Sequence, residues 1–129
     1  MLNGAHRDAI VTVDDAGTVM NPLLAEGQRH GGIAQGAAQA LVEEILYDED
    51  GNPLTATLMD YGAITAAELP SFELLTSETP TTVNPLGVKG IGEIGIVGTS
   101  AALANAIYHA TGQRLRDLPL RIDSLVTGV

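Results

Sequence analysis

The stretch NPLGVKGIGEIGIVGTS, residues 84–100, constrains this chain more than any other. It carries glycines at 87, 90, 92, 95 and 98, a single carboxylate, Glu93, and a single cation, Lys89. Glycine without a Cβ lets other backbone or a ligand come very close, but it loses the most freedom on ordering. A loop of this composition holds its shape only where other groups support it. Two readings follow. In the chemical one, Glu93 is poorly solvated between Ile91 and Ile94, its pKa rises toward neutrality, and it serves as a general base. The glycine N–H groups and Lys89 then hold an anionic cofactor. In the other reading, the loop is a turn with one exposed acid.

Gly90-Ile91-Gly92-Glu93-Ile94-Gly95 satisfies G-x-G-x-x-G. A dinucleotide fingerprint needs a strand directly before it and a helix opening within it. The lead-in TTVNPLGVK is loop-like, the next helix is expected only after Gly98, and Glu93 would repel a pyrophosphate. A P-loop also fails, because no Lys-Ser/Thr pair follows the glycines.

The elements around the loop alternate. DAIVTVDDAG reads as a strand and a turn. Asn21-Pro22 opens a helix in which Ile33, Ala37, Ala40, Leu41 and Ile45 recur at helical spacing. Gly32 and Gly36 fall one turn apart on one stripe, so either another element or a ligand approaches closely there. EILYDEDGNPLTATLMDY reads as a hairpin turning at Asp50-Gly51. A strand is expected at Phe72–Leu75, closed by Pro80. A last helix starts with Thr99 or Ser100 as N-cap and ends at Gly112, and LPLRIDSLV forms a final strand or arm. The class is α+β: strand, helix, hairpin, strand, loop, helix.

With 129 residues the chain suits one domain over residues 1–129. Its apolar share of 45% contains one Phe and no Trp, so a small-aliphatic core buries little area per residue and the isolated chain gains from a partner surface. A net charge of −10 argues against nucleic acid and anionic membranes as partners. Cysteine is absent, which excludes disulfides and thiolate chemistry. MLNGAHRD begins no apolar signal segment, and no apolar run approaches bilayer length, so a cytoplasmic protein is expected. DEDGN has the wrong residues for a calcium loop, with Pro53 and Met59 at the sixth and twelfth positions. His6, His30 and His109 are scattered, and no residue is assigned as a metal ligand. Glu43-Glu44 reads as a solvated helix end, and Ser100 lacks a nucleophile elbow.

Together, EGQRHGGIAQGAAQALVEEILYDEDGNPLTATLMDY, LPSFEL and ETPTTVNPLGVKGIGEIGIVGTSAALANAI resemble the C-terminal part of the large, molybdenum-binding subunit of the xanthine dehydrogenase / aldehyde oxidase / carbon monoxide dehydrogenase family. Within the family, the resemblance points to the carbon monoxide dehydrogenase large-chain branch. The likeness runs from about Val13 to about Leu120. In that family the glutamate of the K-G-x-G-E loop lies beside molybdenum and acts as general base, water supplies the oxygen, and electrons leave through iron–sulfur and flavin centres. The resemblance implies that this base is Glu93, that Gln35 of the QG-x-G helix contacts the pterin, and that Lys89, Gly90, Ile91 and Gly92 line the same cofactor, in its cytosine dinucleotide form. It implies partners: the remainder of a large subunit with iron–sulfur and flavin subunits, or a further copy in a homo-oligomer. Alone, such a chain is expected to be inactive. Departures are Ala16 in DDAG, Ala38 for the second glycine of QG-x-G, and Ile64 for the usual proline after DY. The competing expectation is a non-enzymatic orphan of the fold that self-associates or binds another chain.

Overall fold

The computed structural model describes residues 9–121 and 123. Five elements follow in order: β1 (Ala9–Asp15), α1 (Pro22–Leu41), β2 (Ser71–Ser77), α2 (Ile94–Val97) and α3 (Thr99–Thr111). The α+β class expected from the sequence holds. MLNGAHRD, with His6, and residues 122 and 124–126 of the tail LPLRIDSLV lie outside the described residues. Within that tail, Leu118–Arg121 form no strand.

β1 and β2 pair in parallel, from Ala9 opposite Ser71 to Asp15 opposite Ser77. Parallel strands need a crossover, and α1 supplies it. Such strands are usually covered on both faces. Here Val11 and Val13 on one face of β1 are 56% and 66% exposed. The opposite face meets α1 through Arg29, which is buried at 5% exposure. Its guanidinium donates to Asp14 Oδ2 at 2.7 Å, Thr76 Oγ1 at 3.0 Å and the Leu75 carbonyl oxygen. One arginine thus ties both strands to the helix. Sequence periodicity did not mark it, since its β2 partners lie far along the chain.

α1 begins as expected. The Asn21 side chain accepts from the Leu24 N–H at 3.1 Å, and Pro22 takes the first turn, where no N–H is needed. Its buried stripe is Arg29, Gly32, Ile33, Gly36, Ala37 and Ala40. The helix ends at Leu41, because the N–H groups of Val42 and Glu43 both donate to the Ala38 carbonyl. Ile45 therefore falls outside it and is exposed, contrary to the apolar spacing. Buried apolar side chains among the described residues are few and small, Ile33 being the largest that is fully enclosed.

The expected hairpin reduces to one antiparallel bridge, Tyr47 to Pro53. Proline at the bridge removes a ladder donor and stops the pairing. The Asp48 carboxylate organises this turn: it accepts from the N–H groups of Asp50 and Asn52 and from the Asn52 amide. At the end of α1, Glu44 pairs with Arg121, and Leu120 is buried with its N–H donating to the Ala40 carbonyl at 2.7 Å. α3 ends at Gly112 in the left-handed conformation (φ +75°), as expected. Its N-cap is Gly98, not Thr99 or Ser100.

Candidate functional site: a glycine loop held at two ends

The loop that bears Glu93 is fixed on both sides. Its first anchor is the turn after β1. Gly17 (φ +65°) and Gly87 (φ +68°) both adopt the left-handed conformation, and a Cβ on Gly17 would lie 2.2 Å from the Gly87 oxygen. No residue but glycine fits there. The Gly87 carbonyl accepts from Thr18 and Thr81 N–H at 3.0 and 3.1 Å, and Lys89 N–H donates to the Ala16 carbonyl at 2.9 Å. Asp15 completes the anchor. Its Oδ1 accepts from the N–H groups of Gly17 and Thr79 at 2.8 and 3.1 Å, and its Oδ2 pairs with Lys89 Nζ at 2.8 Å. The Lys89 ammonium, then the backbone N–H groups of Thr79 and Gly17, hold the Asp15 carboxyl well below the usual carboxylate range.

The second anchor is α2 against α1. The Gly32 Cα direction is filled by Gly95: a Cβ on Gly32 would meet Gly95 Cα at 3.0 Å, and one on Gly95 would meet the Arg29 carbonyl oxygen at 2.6 Å. One turn later, a Cβ on Gly36 would meet Thr99 Cβ at 2.7 Å. The glycine stripe is thus used for close packing against the backbone of α2 and the Thr99 side chain of α3. Thr99 Oγ1 donates to the Gly95 carbonyl at 2.7 Å, and Ser100 Oγ donates to the Gly36 carbonyl at 3.3 Å. The helix after the loop opens at Ile94, earlier than the sequence implied.

Between the anchors lie Gly90, Ile91, Gly92 and Glu93. A Cβ on Gly90 or Gly92 would meet nothing within 4 Å. Gln28 Nε2 donates to the Gly92 carbonyl at 3.4 Å, an exposed link from α1. Glu93 is exposed, and its carboxylate has no hydrogen-bond partner among the described residues. The loop by itself therefore does not desolvate this acid, which corrects the expectation drawn from Ile91 and Ile94; any desolvation must come from another surface. Gln35 is exposed on α1, one helical repeat beyond Gln28 on the same side. The Lys89 ammonium is committed to Asp15 and is not a free counter-charge.

A cleft of about 410 Å³ lies beside the loop, lined by Val19, Leu24, Gln28, Lys89, Ile91 and Gly92 among others. A second, of about 290 Å³, shares Ile91 and holds His30, Glu26 and Glu78. His30 stacks on Phe72 with ring centroids 5.6 Å apart. The chain therefore presents a wall with open glycine backbone, an unpartnered carboxylate and two exposed glutamines. These features fit a bulky cofactor pressed against the loop from outside. Sequence alone singles out neither Asp15 nor Gln28: Asp-Asp-Ala-Gly specifies a turn, and the lysine that Asp15 pairs with lies 74 residues along the chain.

Comparison with known proteins gives a consistent result. A family model described as a molybdopterin cofactor-binding domain matches residues 4–70. The carbon monoxide dehydrogenase large chain of Afipia carboxidovorans is 44% identical over 98 residues, covering 76% of this chain and 12% of that protein. The 6-hydroxypseudooxynicotine dehydrogenase complex subunit gamma of Paenarthrobacter nicotinovorans is 45% identical over 109 residues, 83% of this chain and 14% of that protein. Among solved structures, quinoline 2-oxidoreductase from Pseudomonas putida 86 superposes with a TM-score of 0.84 at 35% identity, over 91% of this chain and 15% of that one. The chain thus spans roughly one-seventh of the length of the relatives it matches. A matched stretch of 98 residues in a chain of 129 must include residues 32–98, so it takes in Gln35 and the glycine loop.

Proposed function

The chain belongs to the molybdopterin cofactor-binding domain family, and from that premise we propose that it forms one wall of a composite active site, as the C-terminal segment of a molybdenum hydroxylase large subunit. Glu93 is the general base. The backbone of Lys89, Gly90, Ile91 and Gly92 lines the pterin, and Gln35 contacts it from α1. The cofactor is the cytosine dinucleotide form, shared with the remainder of a large subunit that works with iron–sulfur and flavin subunits. When bound, it supplies two-electron redox chemistry for hydroxylating a small substrate with oxygen from water.

The observation that carries this reading is the state of Glu93: exposed, without a side-chain partner among the described residues, and set between two fixed anchors beside glycines where an added Cβ would meet nothing. A base must keep a free carboxylate oxygen for the proton it takes, and a base used in every turnover must not wander. Glu93 Oε meets the first need and its anchors meet the second. Covering the loop with cofactor and protein excludes bulk water from the carboxylate, so that the proton it takes comes from the reacting group. The methyl of Ala38 does not obstruct this wall, because Ala38 is buried at 3% exposure inside the chain's own packing.

A second reading, a partner-binding module without chemistry, is favoured by the exposed Leu58, Met59 and Val83, the last two 96% and 90% accessible. Purification from the native host separates the two. Molybdenum recovered with a larger chain supports the enzyme; a metal-free homo-oligomer supports the module.

A further inference from the structure

Of the hydrogen-bonded side chains around the loop, Asp15 has no role in the function proposed above, yet it joins three separate segments. Its carboxylate sits at the end of β1, takes N–H donors from Gly17 and from Thr79 beyond β2, and takes the ammonium of Lys89 from the loop. We propose that the Asp15–Lys89 pair is a clamp that positions Glu93, so that Asp15 acts as a positioning residue for the base. The proposal rests on the assignment of Glu93 as that base.

The geometry supports it in three steps. First, Lys89 is held at two atoms by one turn: its N–H by the Ala16 carbonyl at 2.9 Å and its Nζ by Asp15 at 2.8 Å. Second, only Gly90, Ile91 and Gly92 separate this point from Glu93, and two of the three are glycines with empty surroundings. Within the segment the Gly92 carbonyl also accepts from Gln28 Nε2 at 3.4 Å, so the position of Glu93 is set by that link and by the two ends. Third, the far end is immobilised by the Gly32–Gly95 contact and by the Glu93 carbonyl, which accepts from the Ile96 and Val97 N–H groups at 3.2 and 3.3 Å, and this leaves Lys89 as the end held by an ion pair. The pair is about one-third exposed on each side, so it adds little to global stability. Its effect belongs to the loop. Lys89 therefore serves through its backbone at the cofactor and through its ammonium at Asp15.

The test uses the chain as purified from its host with whatever binds it. Amide hydrogen exchange is followed at residue 89, whose N–H is bonded to the Ala16 carbonyl, in Asp15→Asn, Lys89→Met, the double variant and Asp15→Glu. Asp15→Asn keeps an oxygen for the Gly17 and Thr79 N–H groups and removes only the charge. Exchange at residue 89 is expected to rise about tenfold in either single variant, as local opening becomes easier, to rise no further in the double, and to return part of the way in Asp15→Glu. Exchange in α1 should not change. In the assembled enzyme, kcat should fall in Asp15→Asn with KM and molybdenum content unchanged. Unaltered exchange at residue 89, additive effects in the double, or loss of molybdenum in Asp15→Asn would each overturn the clamp. Raised exchange with normal kcat overturns the positioning role and leaves the base assignment standing. A fully active Glu93→Gln variant removes the base assignment, whatever the exchange shows.

Discussion

Glycines of the same loop differ in what they do, and the difference is measurable residue by residue. Gly95 faces the Arg29 carbonyl, where a Cβ would lie 2.6 Å from backbone oxygen. Backbone cannot swing away as a side-chain end can, so Gly95→Ala is expected to destabilise the chain by about 1–3 kcal/mol, read from its urea midpoint. Gly90 faces nothing within 4 Å. Gly90→Ala should leave that midpoint within about 0.5 kcal/mol of the parent while lowering cofactor content in the assembled enzyme. If Gly90→Ala instead loads normally, no bulky group presses on that position. The composition of the loop was legible from sequence, but its division of labour was not. Which glycine packs against protein and which stays open depends on α1, more than fifty residues earlier in the chain.

At the level of elements, α1 organises everything: strands through Arg29, loop through Gly32, last helix through Gly36. Arg29→Ala would strand Asp14 with a poorly solvated charge, since the two side chains are 6% and 13% exposed. A loss of about 3–5 kcal/mol is expected on that ground, seen as a fall in thermal midpoint with helix content retained up to the transition. Less than about 1 kcal/mol would mean the pair is replaceable by water. The start of α1 could be read from Asn21-Pro22 because capping is local chemistry. Its end could not, because Val42 and Glu43 close the helix without glycine or proline and the apolar spacing runs on to Ile45. α2 was invisible for a related reason. Four residues including Gly95 form a helix only because α1 holds them. The hairpin was overread, since Asp50-Gly51 specifies a turn but Pro53 forbids a ladder.

At the scale of the whole molecule, several large apolar side chains stay open to solvent. Val11 and Val13 on a parallel strand, with Met59 and Val83 on loops, are exposed where a complete protein of this class covers such groups. No helix among the described residues is long and apolar enough to cross a membrane. Among the described residues, three carboxyls have lowered pKa values: Asp15 from Lys89, Asp48 from Asn52 and Glu68 from Thr65. A carboxyl whose folded pKa is depressed stabilises the fold above its ordinary value and loses that contribution as pH falls toward the folded one. The thermal midpoint should accordingly drop once pH passes below about 4, after any gain from relieving the net charge of −10. A midpoint still rising at that acidity would mean that charge relief outweighs these contacts. The family, the α+β class and the glycine loop could all be reached from sequence, whereas exposure of Glu93 could not, because burial depends on what covers the loop. That makes one variant decisive. Glu93→Gln in the molybdenum-loaded assembly keeps shape and removes the proton acceptor. Turnover lowered by about 10²–10⁴-fold with molybdenum content unchanged is the predicted result; turnover near that of the parent would contradict the account.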